Sequence, residues 1–317
     1  MNTSPTEKFR TSVGGQALME GIMMRGPQRI CCAVRRPDGT IDLTEEPVTT
    51  HWYNRVPLVR GVCNMVQSLV TGYKYLSHSA EISLTEEEQE EELSAFDRWL
   101  EAHAGPRVQN ALMAVSALLG VALAVFLFLF LPTFLTGLLG RVVALGRWPR
   151  VLLEAAFKLA LFLSYMALIS RMKEIRRMFQ YHGAEHKTIA CYEAGLPLTV
   201  ENVRKQPRHH PRCGTSFLFM VIAISIIVST IVFAIWPVHH PLLRFLAHLL
   251  MLPIIVGVSY EFNRWAGRHD GPITKILTAP GLWLQNFTTF EPDDSMIEVG
   301  ITALKLVLPE VKGEDAW

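Results

Sequence analysis

The chain has 317 residues, half of them apolar and only 19% charged, against roughly 25% charged in an average soluble domain. Thirty Lys and Arg nearly cancel 29 Asp and Glu, so net charge gives no reason to expect a nucleic-acid partner. The five cysteines, Cys31, Cys32, Cys63, Cys191 and Cys213, are odd in number and spread over a long chain; they suggest no disulfide framework and fit a reducing compartment.

Residues 1–110 form a first region. Its opening segment lacks the apolar core of a signal peptide, so the first membrane helix is expected to be internal. The segment CCAVRRPDGTIDLTEEPV predicts a β-hairpin with Pro37-Asp38-Gly39 as its turn. The glycines at 14, 15, 21 and 26 read as tight turns. Val59, Val62, Val66, Leu69 and Val70 recur at helical spacing and predict an amphipathic helix on the membrane surface or packed on a bundle. The acidic run at 85–93 reads as a solvated linker or helix start.

Residues 111–260 hold four stretches long and apolar enough to cross a bilayer, which takes about 20 residues. They lie near 111–139, with Pro132 as a candidate kink, and near 151–169, 215–236 and 242–260, the last with Pro253 inside. In the second stretch, Glu154 and Lys158 are four apart and can pair on one helix face. The segment 171–212 carries nine basic residues: Arg171, Lys173, Arg176, Arg177, Lys187, Arg204, Lys205, Arg208 and Arg212. The connection around His239 and His240 carries none, whereas Arg141, Arg147 and Arg150 between the first two stretches point the other way. Positive charge favours the cytoplasmic side, so the count predicts a multi-pass inner-membrane protein with both termini and the basic loop in the cytoplasm.

Residues 261–317 form the last region. Trp283 and Phe287 suggest a short interfacial helix, and Ile297, Ile301, Leu304 and Leu308 mark an amphipathic helix after Pro292.

The chemistry concentrates in the basic loop. His182-Gly183-Ala184-Glu185-His186 is an H-x-x-E-H, within a helix expected to run from 171 to 194 and to stop at Gly195. Positions i and i+4 share a helix face, so His182 and His186 can hold one metal ion with Glu185 beside them, the reverse of the zincin order. Such a site uses the histidines as zinc ligands and the glutamate as general base. Glu193 falls near the same face and can support the ligands from behind. The plain alternative is surface histidines on a solvated basic helix. His210 and Cys213 are zinc-type ligands just before the third apolar stretch, in a turn held by Pro207, Pro211 and Gly214; the alternative there is a headgroup-anchoring loop. Glu261, at the exit of the fourth stretch, is the best-placed carboxylate for a further ligand, or else pairs with Arg264. Cys191 lies on the opposite side of the helix from His182 and reads as a small core residue.

The blocks GGQALMEGIMMRGP, ISRMKEIRRMFQYHGAEHKTIACYEAG, HPRCGTSF and GRHD…APGLWLQ…EPDD together resemble the YqhQ-like family of bacterial multi-pass membrane proteins. The resemblance covers about residues 13–308 and implies a predicted metal-dependent enzyme in a family of unknown function. His182, Glu185, His186, His210 and Cys213 fall within its most distinctive blocks.

The expected fold is mainly α: a four-helix transmembrane bundle with a small α+β cytoplasmic N-terminal region. The expected function is a membrane-bound hydrolase using a divalent metal, zinc by donor type, with Glu185 as base. Its metal ligands are His182 and His186, completed from His210, Cys213 and Glu261. Expected partners are the lipid bilayer and a membrane-protein, peptide or lipid-linked substrate. Two other classes remain open: a non-catalytic scaffold or regulator with a structural metal, and a transporter.

Overall fold

The computed structural model describes residues 9–85, 106–144, 146–238, 240–269, 271–311 and 313–316. Most of the acidic run, together with His239 and Asp270, lies outside the described residues. The chain packs as two units: Met1–Thr85 with Ala167–Met220 and Gly257–Trp317, and Glu86–Met166 with Val221–Val256.

The first unit is built on an antiparallel meander of β1 (Gly14–Leu18), β2 (Gly21–Arg25), β3 (Arg29–Arg35) and β4 (Ile41–Pro47), in that spatial order. The predicted hairpin is β3–β4. Its turn is tied by Asp38, whose carboxylate accepts from the Thr40 amide at 2.9 Å and the Thr40 hydroxyl at 2.6 Å. The β1–β2 hairpin was not expected from its glycines. It turns at Met19 and Glu20, with Glu20 at φ 49°, and neither residue carries the usual turn signature.

Strand periodicity sends alternate side chains to opposite faces. Ile22, Met24, Cys31 and Ala33 pack one face against Tyr181 and Ala184 and against Met296, Val299, Ala303 and Leu304. Leu18, Met23, Ile30, Cys32 and Val34 pack the other face against Tyr75. Burial on both faces accounts for the nearly continuous apolar runs IMM and ICCAV.

Tyr75 belongs to α1 (Val59–Ser83). This helix meets the sheet through Tyr75, with Leu76 and Ile82 beside it, while Val59, Val66, Leu69 and Val70 of the expected stripe stay exposed. The opposite face is covered by α5 (Lys173–Glu193) and α10 (Asp294–Val307). α10 is capped by Asp293, which accepts from the Met296 amide at 3.0 Å. It is a core helix rather than a surface one, since Met296, Ile297 and Leu304 are fully buried.

The predicted helix over 171–194 begins later than expected. α4 (Arg147–Ile169) ends, and Met172 adopts an extended conformation at the N-cap of α5. The stop is where expected: Gly195 has φ 67°, and the Leu196 amide reaches back to the Cys191 carbonyl at 3.2 Å, a left-handed helix cap. Cys191 is buried in a small cluster with Val203, Ile297 and Ile301. The short α6 (Val200–Arg204) follows. α9 (Pro272–Thr288) is longer than the expected interfacial helix and keeps Trp283 exposed.

Among the described residues, four helical segments are long and apolar enough to cross a membrane: Ala114–Val142, Trp148–Ile169, Gly214–Ile235 and Pro241–Arg268. The first joins α2 (Pro106–Val125) and α3 (Leu131–Val142) through a π-helical turn, Phe126–Phe130. Pro132 lacks an amide hydrogen, and its ring crowds the carbonyl four residues earlier, so the hydrogen-bond ladder widens just before it. The third and fourth are α7 (Gly214–Ile235) and α8 (Pro241–Arg268).

The second unit buries a polar group. Glu154 accepts from Thr133 Oγ1 at 2.9 Å and Arg244 Nε at 2.7 Å, and lies 3.7 Å from Lys158. Lys158 in turn donates to His248 Nε2 at 3.0 Å. The expected i,i+4 pair is therefore half of a larger network.

Candidate metal centre

α5 presents His182 and His186 one turn apart, with ring centroids separated by 4.3 Å. Each ring is anchored through the same nitrogen. His182 Nδ1–H donates to the Thr288 carbonyl at 2.7 Å, and His186 Nδ1–H donates to the Arg208 carbonyl at 2.6 Å. These bonds orient both rings so that their Nε2 atoms face the site, as in metal-ligating histidines. Close packing of α5 makes the first bond possible: a side chain at Gly183 would run into the Phe290 carbonyl, two residues from Thr288.

Cys213 ends the 207–213 loop just before α7. Its Sγ lies 3.1 Å from His182 Nε2 and 3.3 Å from the Thr215 hydroxyl. Burial opposes ionisation of this thiol. The charges of His182 and then His186 outweigh burial and hold it well below its ordinary range. Burial likewise pulls the His182 imidazole down, but the facing sulfur raises it to about 9. A thiolate is the form that binds metal.

The donor atoms of His182, His186 and Cys213 all lie within 4.8 Å of one another. Tetrahedral zinc, with bonds of about 2.0–2.3 Å, holds its ligand atoms roughly 3.5 Å apart, so small side-chain adjustments suffice. Among the described residues, two buried atoms at this spot have no hydrogen-bond partner, His186 Nε2 and Glu185 Oε2. Orphaned buried polar atoms are rare in native proteins and call for a ligand or ion. The donor set therefore fits a divalent cation of the zinc type.

Glu185 sits beside the three donors. Burial pushes its carboxyl above the usual range, offset in part by the charges of His182 and His186 and by the nearby Gly15 amide. Together with the open side of β1, these groups line a cavity of about 450 Å³.

Two other expected ligands face elsewhere. The backbone of His210 is clamped by Gln285, which accepts from its amide at 2.8 Å and donates to its carbonyl at 2.8 Å. Its imidazole turns to Glu193 at 3.4 Å, leaving its ring 5.7 Å from that of His186. Glu193 also takes the Arg212 guanidinium and the Thr11 amide. Burial works against its charge, but these bonds keep its carboxyl below the ordinary value. Glu193 thus braces the His210–Cys213 loop from behind.

Glu261 is bound by the forked guanidinium of Arg60 and by the Leu58 amide at 3.2 Å. The expected ligand is an ion-pair partner of α1, because a guanidinium matches both carboxylate oxygens at once. His269, at the same helix end, stacks on Trp265.

The groups that position the site, Gln285 and the Thr288 and Arg208 carbonyls, carry no signal in the sequence. Backbone anchors leave no residue-type signal. Gln285 lies in the APGLWLQ block that carried the family resemblance.

A family profile described as "Protein of unknown function (DUF1385)" matches residues 56–310. The chain belongs to this family. All four groups of the centre, His182, Glu185, His186 and Cys213, lie within the matched span of DUF1385. The chain is also 35% identical over 306 residues to "Uncharacterized protein YqhQ" of Bacillus subtilis (strain 168), covering 95% of this chain and 93% of the relative. No solved structure matches it.

Proposed function

We propose that this protein is a membrane-bound, metal-dependent hydrolase in which His182, His186 and Cys213 hold one divalent cation, zinc by donor type. The observation that carries this reading is the pair of unpartnered buried atoms, His186 Nε2 and Glu185 Oε2, beside the His182–Cys213 contact in an open cavity. Three protein donors leave a coordination position free, the mark of a catalytic rather than a structural zinc site. His210, a further zinc-type donor in the sequence, is engaged by Glu193, which argues against a closed structural site in a scaffold.

A bound cation would supply Lewis-acid polarisation and a water acidified toward neutral pH. Glu185, beside the three donors, is placed to act as the general base that accepts a proton and returns it. Thr288 and Arg208 keep the two imidazoles aimed, and Thr215 steadies the sulfur. The excess of basic residues in the 171–212 loop supports a cytoplasmic location for both termini and this centre at the inner membrane.

The test compares wild type with Glu185→Gln. The variant is expected to keep its metal and fold and to lose function in a complementation assay of a deletion strain. Full complementation would refute the role of Glu185.

A transporter is the second reading. It draws on the buried Glu154, Lys158, Arg244 and His248 group, since ionisable residues inside membrane spans often mark transport paths. Solute uptake into vesicles that is lost in Glu154→Gln would favour it.

A further inference from the structure

Among the described residues, β1 is an edge strand, with β2 on one side and no strand on the other. The register fixes which of its groups face the open side. Leu18 and Gly21 flank a two-residue turn, so they form a hydrogen-bonded pair. Alternation along an antiparallel ladder then makes Gln16 with Met23, and Gly14 with Arg25, hydrogen-bonded pairs as well. Gly15 and Ala17 therefore direct their amides and carbonyls away from β2. The Gly15 amide faces Glu185, whose Cδ would stand 3.0 Å from a β-carbon at that position. Among the described residues, the Gly15 carbonyl and the Ala17 amide have no partner.

This open side borders the cavity that holds His182, Glu185, His186 and Cys213. The strand GGQAL carries no charge and no proline, the usual guards of an exposed edge, and Gly14 and Gly15 are exposed. A β-carbon at Gly15 would stand 2.7 Å from the Met23 carbonyl oxygen and 3.0 Å from Glu185 Cδ. Glycine within a strand often marks the close approach of a ligand or a second backbone.

We propose that the substrate is an extended polypeptide segment that adds to the open side of β1 as a fifth strand. It accepts from the Ala17 amide and donates to the Gly15 carbonyl. This places a scissile carbonyl beside Glu185, main-chain bonds giving affinity as in other strand-addition complexes. The inference rests on the hydrolase reading for its chemistry but not for its binding. In the reaction, the peptide C–N bond breaks and a C–O bond to the water oxygen forms. Glu185 takes a water proton and delivers it to the leaving nitrogen, yielding a carboxylic acid and an amine with water as the only co-reactant.

The test uses the full chain in detergent micelles with added zinc and a degenerate decapeptide mixture read by mass spectrometry. Ala17→Pro removes the outward amide and leaves the β1–β2 ladder intact, since Ala17 donates nothing to β2. The variant is expected to keep wild-type zinc content and melting temperature and to cleave at least tenfold more slowly. A second measurement needs no change in β1: hydrogen exchange at the Ala17 amide of Glu185→Gln, with and without the same peptides. Exchange is expected to slow at least tenfold, and N-methylation of alternate peptide amides is expected to remove the effect. Cleavage unaffected by Ala17→Pro overturns strand addition and leaves the hydrolase standing. Slowed exchange without any cleavage by wild type upholds strand addition and removes the hydrolase. Neither cleavage nor slowed exchange, as for a lipid-linked substrate, overturns the proposal.

Discussion

Gln285→Leu tests how the fold supports the proposed metal centre. Gln285 is fully buried. It accepts from the His210 amide at 2.8 Å and donates to the His210 carbonyl at 2.8 Å and to Ser216 Oγ at 3.3 Å. Leucine has nearly the same volume, so the cavity term is small and the loss is polar. Two buried backbone groups of His210 lose their partner, and at about 1–3 kcal/mol for each orphan the cost is about 2–6 kcal/mol. That is a large share of a stability of about 5–15 kcal/mol. The 207–213 segment supplies both Cys213 and the Arg208 carbonyl that aims His186. Its loosening should weaken metal binding on the order of 10–100-fold, as for other groups that orient ligands. Thermal melting in detergent and competition with a zinc chelator measure the two effects. Gln285→Glu, which keeps the shape and loses the donor to the carbonyl, should fall between wild type and leucine. Zinc affinity unchanged in Gln285→Leu would refute the view that this clamp holds the centre together.

Glu154→Leu leaves Arg244 and Lys158 buried without their anion and should cost about 3–5 kcal/mol, seen as a lower melting temperature; unchanged melting would mean that the network is not structural. Burial pushes the Cys31 and Cys32 thiols up to about 12, so at pH 7 both should resist iodoacetamide in the folded protein. Cys213, held well below the ordinary thiol range, should react, and zinc should protect it; peptide mapping reads all three. Reporter fusions at Pro237 and Trp317 should report opposite sides of the membrane, with Trp317 in the cytoplasm.

The apolar stretches were legible because length and hydropathy alone set a membrane span. The β3–β4 hairpin was legible because Pro37, Asp38 and Gly39 announce their turn. The first hairpin was not: Met19 and Glu20 give no turn signal, and Gly14 and Gly15 belong to a strand where turns were expected. The late start of α5 was equally hidden, since no proline or glycine marks the break at 170–172. At the centre, the i,i+4 histidines needed only helix geometry, and Cys213 entered through its residue type. The choice among His210, Cys213 and Glu261 depended on partners far along the chain. Arg60 lies 201 residues from Glu261, and Gln285 lies 75 residues from His210. Neither distance nor orientation at that separation is written in local pattern.

The most direct measurement is the metal content of the purified full-length protein, wild type against His186→Ala and Cys213→Ala, by elemental analysis after dialysis against metal-free buffer. The account predicts near-stoichiometric zinc in the wild type and its loss in both variants, with Glu261→Ala retaining it. Wild-type protein that carries no divalent metal and takes up none on titration with zinc would contradict it.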